Sequence, residues 1–451
     1  MSNAVNMTTG NPARLIFRLA VPLMLTNIGQ QLYGIVDAIV VGRGVGVDAF
    51  AALGACDWLV WAILWAVQAL AQGFSSLIAQ RFGAGKEKDM RHAFGMCVWL
   101  CLIFGASITI VFVILARPLL TALGTPADII DGATSYLTII YGGTLIVIFY
   151  NMCAATLRAV GDGKTPLIAM AVAGGTNVVL DLIFVMIFKW GIEGAAAATL
   201  TGQAVAVILC LIVLKRSPLF KMERSDWRWD IPMAKEMCGL GIPLALSSTI
   251  VVIGGILAQA VINSAGTVFV AGCTAANKLH GTLDTSAVAI GFASSTFIGQ
   301  NYGAGKIGRV REGIKKATII AIAVGAAITI AMFIFGRPIV GMFLDRSVEN
   351  AELALEYAYQ YVMIMSAMLI GAYLMNLYRY SLQGLGNTVA PMFSGFFELG
   401  ARLFVAYVFP IFLGNFGLFF MDGSAWWAAG IFQIVCFYKT LKEREKEVSR
   451  S

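Results

Sequence analysis

The sequence predicts an all-α polytopic membrane protein, with twelve transmembrane helices in two six-helix lobes related by a pseudo-two-fold axis along the membrane normal. Three observations predict it: composition, the spacing of apolar stretches, and an internal repeat. Of 451 residues, 59% belong to the hydrophobic set and 13% are charged, against about 25% charge in soluble domains. The mean hydropathy is +0.81. So little charge cannot solvate the surfaces of the roughly three soluble domains that this length would otherwise suggest. That argues against a soluble Rossmann or barrel enzyme, a disordered chain and a secreted disulfide scaffold.

A spanning helix needs about 20 mostly apolar residues. Cutting at charged or Gly/Pro-rich breaks yields, in order, 15–41, 48–80, 92–116, 128–157, 166–188 and 191–214. After a polar stretch come 236–263, 268–299, 313–335, 350–380, 388–413 and 424–440. The expected organisation is an N-lobe over 1–214, a cytoplasmic linker over 215–235 and a C-lobe over 236–451. The linker is too short to fold as a domain. Residues 1–13 are polar with no short apolar core, so no removable signal peptide is expected.

Basic residues orient the bundle, because Lys and Arg collect on cytoplasmic loops. With the N-terminus inside, inward segments carry 25 of the 32 and outward loops five: Arg43, Arg117, Lys189, Arg337 and Arg346. Arg379 is counted among the inward charges, while Lys278 and Arg402 fall within helices. Both termini are therefore expected in the cytoplasm and the chain in the inner (plasma) membrane. Insertion, not nucleic acid, explains the net charge of +7. The eight cysteines lie in or beside apolar segments without a CxxC, and only His92 and His280 are present. Disulfide or His-rich metal chemistry is not expected, nor is any cofactor.

The chain repeats itself. Leu19-Ala20-Val21-Pro22-Leu23 recurs as Leu240-Gly241-Ile242-Pro243-Leu244, and Gln80-Arg81-Phe82-Gly83-Ala84-Gly85-Lys86 as Gln300-Asn301-Tyr302-Gly303-Ala304-Gly305-Lys306. Arg117-Pro118 recurs as Arg337-Pro338, and Gly161 with Pro166 as Gly386 with Pro391. An even number of spans per copy makes these parallel repeats, the arrangement that lets one bundle rock against the other. The Gly-Ala-Gly-Lys copies are not phosphate loops. Gln80 and Gln300 stand where the first Gly belongs, and Glu87 and Ile307 where Ser or Thr belongs. They read as glycine helix stops.

Charge inside a membrane is costly, so each acid there is a functional candidate. Asp37 shares a helical stripe with Asn27, Gln30, Gln31 and Gly34, which must face protein or water. Asp181 lies four residues after Asn177, on one face. Counted from the outer helix ends, Asp37, Asp181, Tyr136 and Thr199 fall within about one turn in depth, as one polar pocket would require. By the repeat offsets, Ala258 and Ala406 stand opposite the two acids, and Arg402 opposite Asn177. Coupling chemistry is therefore expected in the first half alone, with Arg402 paired structurally to Glu398.

Other signals are weaker. Asp57 with Trp58, Trp61 and Trp65 occupies one side of the second span and suits an aromatic cation; an interfacial aromatic belt explains it equally well. Lys278, His280 and Asp284 suggest a local charge network. Met363, Met365, Met368 and Met375 suit either a plastic cavity or ordinary packing.

Asp37 within Asp-Ala-Ile-Val-Val-Gly-Arg, the doubled Gln-x-x-Gly-Ala-Gly-Lys, and Asn177-Val-Val-Leu-Asp181 followed by Gly194-Ala-Ala-Ala-Ala-Thr199 resemble the multidrug and toxic compound extrusion (MATE) family. The resemblance covers essentially the whole chain. It implies a secondary active efflux antiporter, not an enzyme. Small organic cations or amphipathic compounds would leave in exchange for protons or Na⁺. By similarity, Asp37, Tyr136, Asn177, Asp181 and Thr199 match the polar N-lobe cluster of the DinF-type branch, with H⁺ or Na⁺ held at Asp37 and Asp181. Asp57, Trp61, Gln30, Gln31, Lys278 and Asp284 would line the substrate cavity. The expected partners are these compounds and membrane lipids, with no nucleic acid, and the expected state is a monomer. The rival readings are a lipid-linked precursor flippase of the same superfamily, a membrane-embedded enzyme and a gated channel.

Overall fold

The computed structural model describes residues 4–343 and 350–449, without the side chains of Leu32, Tyr33, Ile35, Ala38, Arg43, Val47, Asp48 and Phe50. Arg346 of the outward set and Arg450 of the inward set lie outside the described residues, as does the Arg43 side chain.

Every regular element among the described residues is helical. In order they are α1 (Pro12–Gly44), α2 (Val47–Gly83), α3 (Glu87–Ala122), α4 (Ile130–Gly142), α5 (Thr144–Ala159), α6 (Lys164–Asp181) and a π-helical turn (Leu182–Ile187). Then follow α7 (Gly191–Arg216), two 3₁₀ turns, α8 (Ile231–Asn263), α9 (Thr267–Gly303), α10 (Ile307–Gly341), α11 (Ala351–Gly384), α12 (Val389–Leu413) and α13 (Met421–Val448). Eight helical stretches, or nine with α4 and α5 taken together, are long and apolar enough to cross a membrane among the described residues; the eight take α12 and α13 as one. α1, several of whose side chains are undescribed, and α9, which carries Lys278, His280 and Asp284, are not among them.

Two predicted spans differ in detail. The stretch 128–157 is a pair of helices bent by 44° at Gly143. Gly143 stands against α7 so closely that an added Cβ would lie 2.1 Å from a Leu200 methyl. The stretch 166–188 changes from α to π winding directly after Asp181.

The doubled glycine motif is a doubled helix stop. Gly85 takes φ +70° and Gly305 φ +69°, a left-handed conformation that Gly adopts without a Cβ clash. In the first copy the Lys86 N–H returns to the Arg81 carbonyl (3.1 Å), and in the second Lys306 returns to Asn301 (2.8 Å). That bond satisfies a carbonyl the helix end would leave open. Asp162 and Asn387 repeat a second device, their Oδ1 atoms accepting N–H bonds from the start of α6 and of α12.

The chain clusters into two compact units, residues 1–6 with 21–245 and residues 7–20 with 246–451. In the first, α5 is buried along most of its length, packed on α2, α3 and α7. In the second, α11 holds that place, packed on α9, α10 and α13. Along its most apolar stretch 72% of the residues are buried, against 17–33% for the other single-helix spans among the described residues. The fourth span of each repeat is thus its core helix. Elsewhere large apolar side chains such as Ile110, Ile114, Ile330 and Ile334 remain exposed, as helices that face lipid require.

Candidate ion-coupling site

In the first unit, α6 and α7 approach closely because Gly202 has no side chain. A Cβ there would stand 2.9 Å from the Ala173 carbonyl oxygen and 3.3 Å from the Asn177 Cβ. The approach lets Asn177 Nδ2 donate to Thr199 Oγ1 (3.3 Å). One turn beyond Asn177, Asp181 is completely buried. Its carboxyl group and that of Asp37 on α1 lie within hydrogen-bonding reach of each other.

Both groups are acceptors when ionised. Among the described residues no donor reaches Asp37 Oδ1, either carboxyl oxygen of Asp181, or Asn177 Oδ1, and all four are buried. Facing carboxylates in a low-dielectric interior repel strongly, and such pairs hold a proton between them. Buried acceptors left unmatched are costly in the same way. Chemically, the arrangement can take up one small cation: a shared proton, or a metal ion of the hard, oxygen-seeking kind.

Asp37, Asn177, Asp181 and Thr199 come together as described. Tyr136 is buried on α4, a helix that packs against α7. Gln30 and Gln31 are half-buried on α1, toward its N-terminal side of Asp37. Asp57, Trp58, Trp61 and Trp65 form an exposed strip on α2, with the Trp61 and Trp65 rings 5.8 Å apart. Gln203, one turn after Thr199 and not among the expected site residues, is buried, and its Oε1 has no donor among the described residues. Its four-residue spacing from Thr199 was the available signal.

In the second unit the expected charge network is corrected at Lys278 alone, since His280 lies near enough to Asp284 to interact with its charge. Lys278 is exposed and makes no ion pair among the described residues, so it does not join Asp284. Asp284 accepts from Asn376 Nδ2 (3.1 Å), and His280 stacks on Trp426 at 5.2 Å. Glu398 and Arg402 do approach (3.8 Å), but each has a nearer partner: Arg379 for Glu398 (2.8 Å) and Asp422 for Arg402 (3.0 Å). Arg379, near the end of α11, is thus engaged within the second unit, with 15% of its side chain exposed. Tyr361 completes the chain by donating to Asp422 (2.6 Å). Ala258 and Ala406, opposite the two acids by the repeat, are buried apolar residues. Met365 and Met375 are packed inside, with Met363 and Met368 half-buried.

Comparison with known proteins agrees with this architecture. The chain is 29% identical over 344 residues to "Probable multidrug resistance protein YpnP" of Bacillus subtilis, covering 76% of this chain and 77% of that protein. It is 26% identical over 446 residues to "Probable multidrug resistance protein NorM" of Thermotoga maritima, covering 95% and 90%. Among solved structures it matches a "Crystal structure of MATE in complex with MaL6" with TM-score 0.92 at 24% identity, covering 99% of this chain and 100% of that one. A MOP superfamily transporter from Pyrococcus furiosus gives the same TM-score and identity over 99% of both chains. The MatE family profile matches twice, over residues 22–183 and 243–408, its starts separated by the 221 residues that separate the Leu-x-x-Pro-Leu copies. These two matches take in most of the chain, which therefore belongs to the MatE family of multi-pass membrane transporters.

Proposed function

We propose that the protein is a secondary active efflux antiporter that exports cationic or amphipathic organic compounds in exchange for protons or Na⁺ by alternating access. The observation that carries this reading is the Asp37–Asp181 pair with its unmatched acceptor oxygens. Relatives named multidrug resistance proteins support export of small organic compounds. The coupling ion sits between the two acids, with Asn177, Thr199 and Tyr136 as polar neighbours. Its arrival removes the repulsion that otherwise drives α1 from α6, so α1 packs differently in the loaded and empty states. A compound that binds one of these states better shifts the equilibrium between them, and the reciprocal effect on ion affinity is the coupling. Asp57 and Trp61 on α2 receive the cationic compound, with Gln30 and Gln31 of α1 as polar neighbours, and Lys278 and Asp284 set the polarity on α9. The reading places the chain in the DinF-type branch, as a monomer with both termini cytoplasmic.

The test is transport by the purified protein in proteoliposomes, with a pH gradient and a Na⁺ gradient imposed separately. Asp37→Asn removes one of the facing charges without changing shape. Gradient-driven export should fall to the level of protein-free vesicles while the variant stays folded. Undiminished export by that variant would refute the assignment.

A further inference from the structure

The connection between α7 and α8 is a built surface. Phe220 is buried against Phe94 of α3, with ring centroids 5.2 Å apart. Asp226 is 1% exposed; its Oδ2 accepts from the Glu223 N–H (2.8 Å) and pairs with Arg91 Nε (3.3 Å). Its backbone carbonyl lies against Gly95 of α3, where a Cβ would come within 2.3 Å of the oxygen. Trp99, one turn further along α3, donates its indole N–H to the Trp227 carbonyl (3.1 Å).

Trp99 also marks the depth of this segment. It heads a row of exposed apolar residues on α3, continuing through Ile103, Ile110 and Ile114, which is the face a spanning helix turns to lipid. Trp227, Trp229 and Ile231 are exposed beside it, about half or more of Trp229 and Ile231 being uncovered. Indoles concentrate where hydrocarbon meets headgroups.

The charges around these rings are unbalanced. Lys215, Arg216, Lys221, Arg224, Arg228 and Lys235 are exposed and make no ion pair among the described residues. The acids of the same stretch are engaged locally. Glu223 and Asp226 form a capping box, Asp230 pairs with His92 (3.4 Å) and caps α8, and Glu236 pairs with Arg81 (3.6 Å).

We propose that this surface, two exposed tryptophans set among six unpaired basic side chains, docks acidic phospholipid headgroups of the leaflet it faces. The indoles enter the interface beside the apolar row of α3, and the basic groups meet the headgroup phosphates and acidic substituents. Continuity with that apolar row selects a lipid surface over a soluble anion or a protein. The proposal does not depend on the ion-coupling reading.

The test uses the full-length protein in detergent, titrated with phosphatidylglycerol or phosphatidylcholine and read by native mass spectrometry. Each basic residue near an anionic surface strengthens attraction about fivefold. The variant with Lys221→Gln, Arg224→Gln and Arg228→Gln should therefore lose phosphatidylglycerol affinity by up to roughly a hundredfold at low salt. Its phosphatidylcholine retention should not change. Replacing the same positions by Arg, Lys and Lys respectively should keep the affinity. Equal phosphatidylglycerol retention by wild type and the Gln variant would overturn the proposal. So would its displacement by millimolar inorganic phosphate, which would mark a simple anion site. Independently, brominated phosphatidylglycerol should quench wild-type indole emission more than that of a Trp227→Phe, Trp229→Phe variant. Equal fractional quenching would also overturn it.

Discussion

Asp181 is an acid whose two carboxyl oxygens are buried with no donor among the described residues, and the acid that acts on it is Asp37. Replacing it by Asn removes a buried charge while keeping the volume. Stability should therefore change by no more than about 1 kcal/mol in a thermal melt, while gradient-driven transport in vesicles is lost. Asp230 behaves in the opposite way. It immediately precedes the apolar span Ile231–Asn263, and the N–H of Met233 that its side chain accepts (3.0 Å) is the main influence holding its carboxyl below the usual carboxylate range; His92 adds to this. A depressed carboxylate stabilises the fold above its unfolded pKa, and that contribution disappears as pH falls through the lower folded value. Acid melts from pH 6 down to 3 should show this loss in the wild type and not in Asp230→Ala. The variant should be less stable at neutral pH by about 1 kcal/mol, the cost of an N-cap. At this scale the sequence was legible wherever an acid interrupted an apolar run, as at Asp37 and Asp181. It was not legible for Arg379, because a residue near a predicted helix end is assigned to water unless its partner is known, and Glu398 is 19 positions away.

At the scale of the element, the site depends on a change of helix winding and on a close helix approach that hydropathy does not record. Leu182–Ile187 winds as a π-helix, a form concentrated at functional sites, and it begins at the residue following Asp181. Gly44, at the end of α1, packs against Met186 and Val185 of this turn. The turn that directly follows one acid thus touches the helix that carries the other. The apolar stretch 166–188 looks continuous, so nothing in its composition announced the change of winding; the bend at Gly143 was equally hidden inside 128–157. Gly202 is the other dependence. Gly202→Ala would force α6 and α7 apart, at a cost of about 1–3 kcal/mol for overpacking. Asn177 would be carried away from Thr199. Ion-dependent transport by Gly202→Ala should require a higher ion concentration for half-maximal rate, with the maximal rate less affected. An unchanged concentration dependence would separate the Asn177–Thr199 contact from ion binding.

On the scale of the whole molecule, a duplicated framework carries different chemistry in its two copies. Glycine stops and Asx caps recur at matching positions, which is why the repeat was readable from motifs alone. The interiors have diverged. The first unit holds the facing Asp37 and Asp181, which no basic side chain meets among the described residues, while the second pairs Arg379 with Glu398 and Arg402 with Asp422. A buried pair broken on one side leaves an uncompensated charge, usually costing about 3–5 kcal/mol. Arg402→Ala should therefore lower the melting temperature and the yield of folded protein, because Asp422 and Glu398 lose a partner. Once normalised to folded protein, its transport should keep the wild-type dependence on ion concentration. Asp37→Asn should do the reverse, preserving the melt and abolishing the dependence. A shift in ion dependence caused by Arg402→Ala, at equal folded protein, would mean that the second unit's network participates in coupling instead of only holding its helices together.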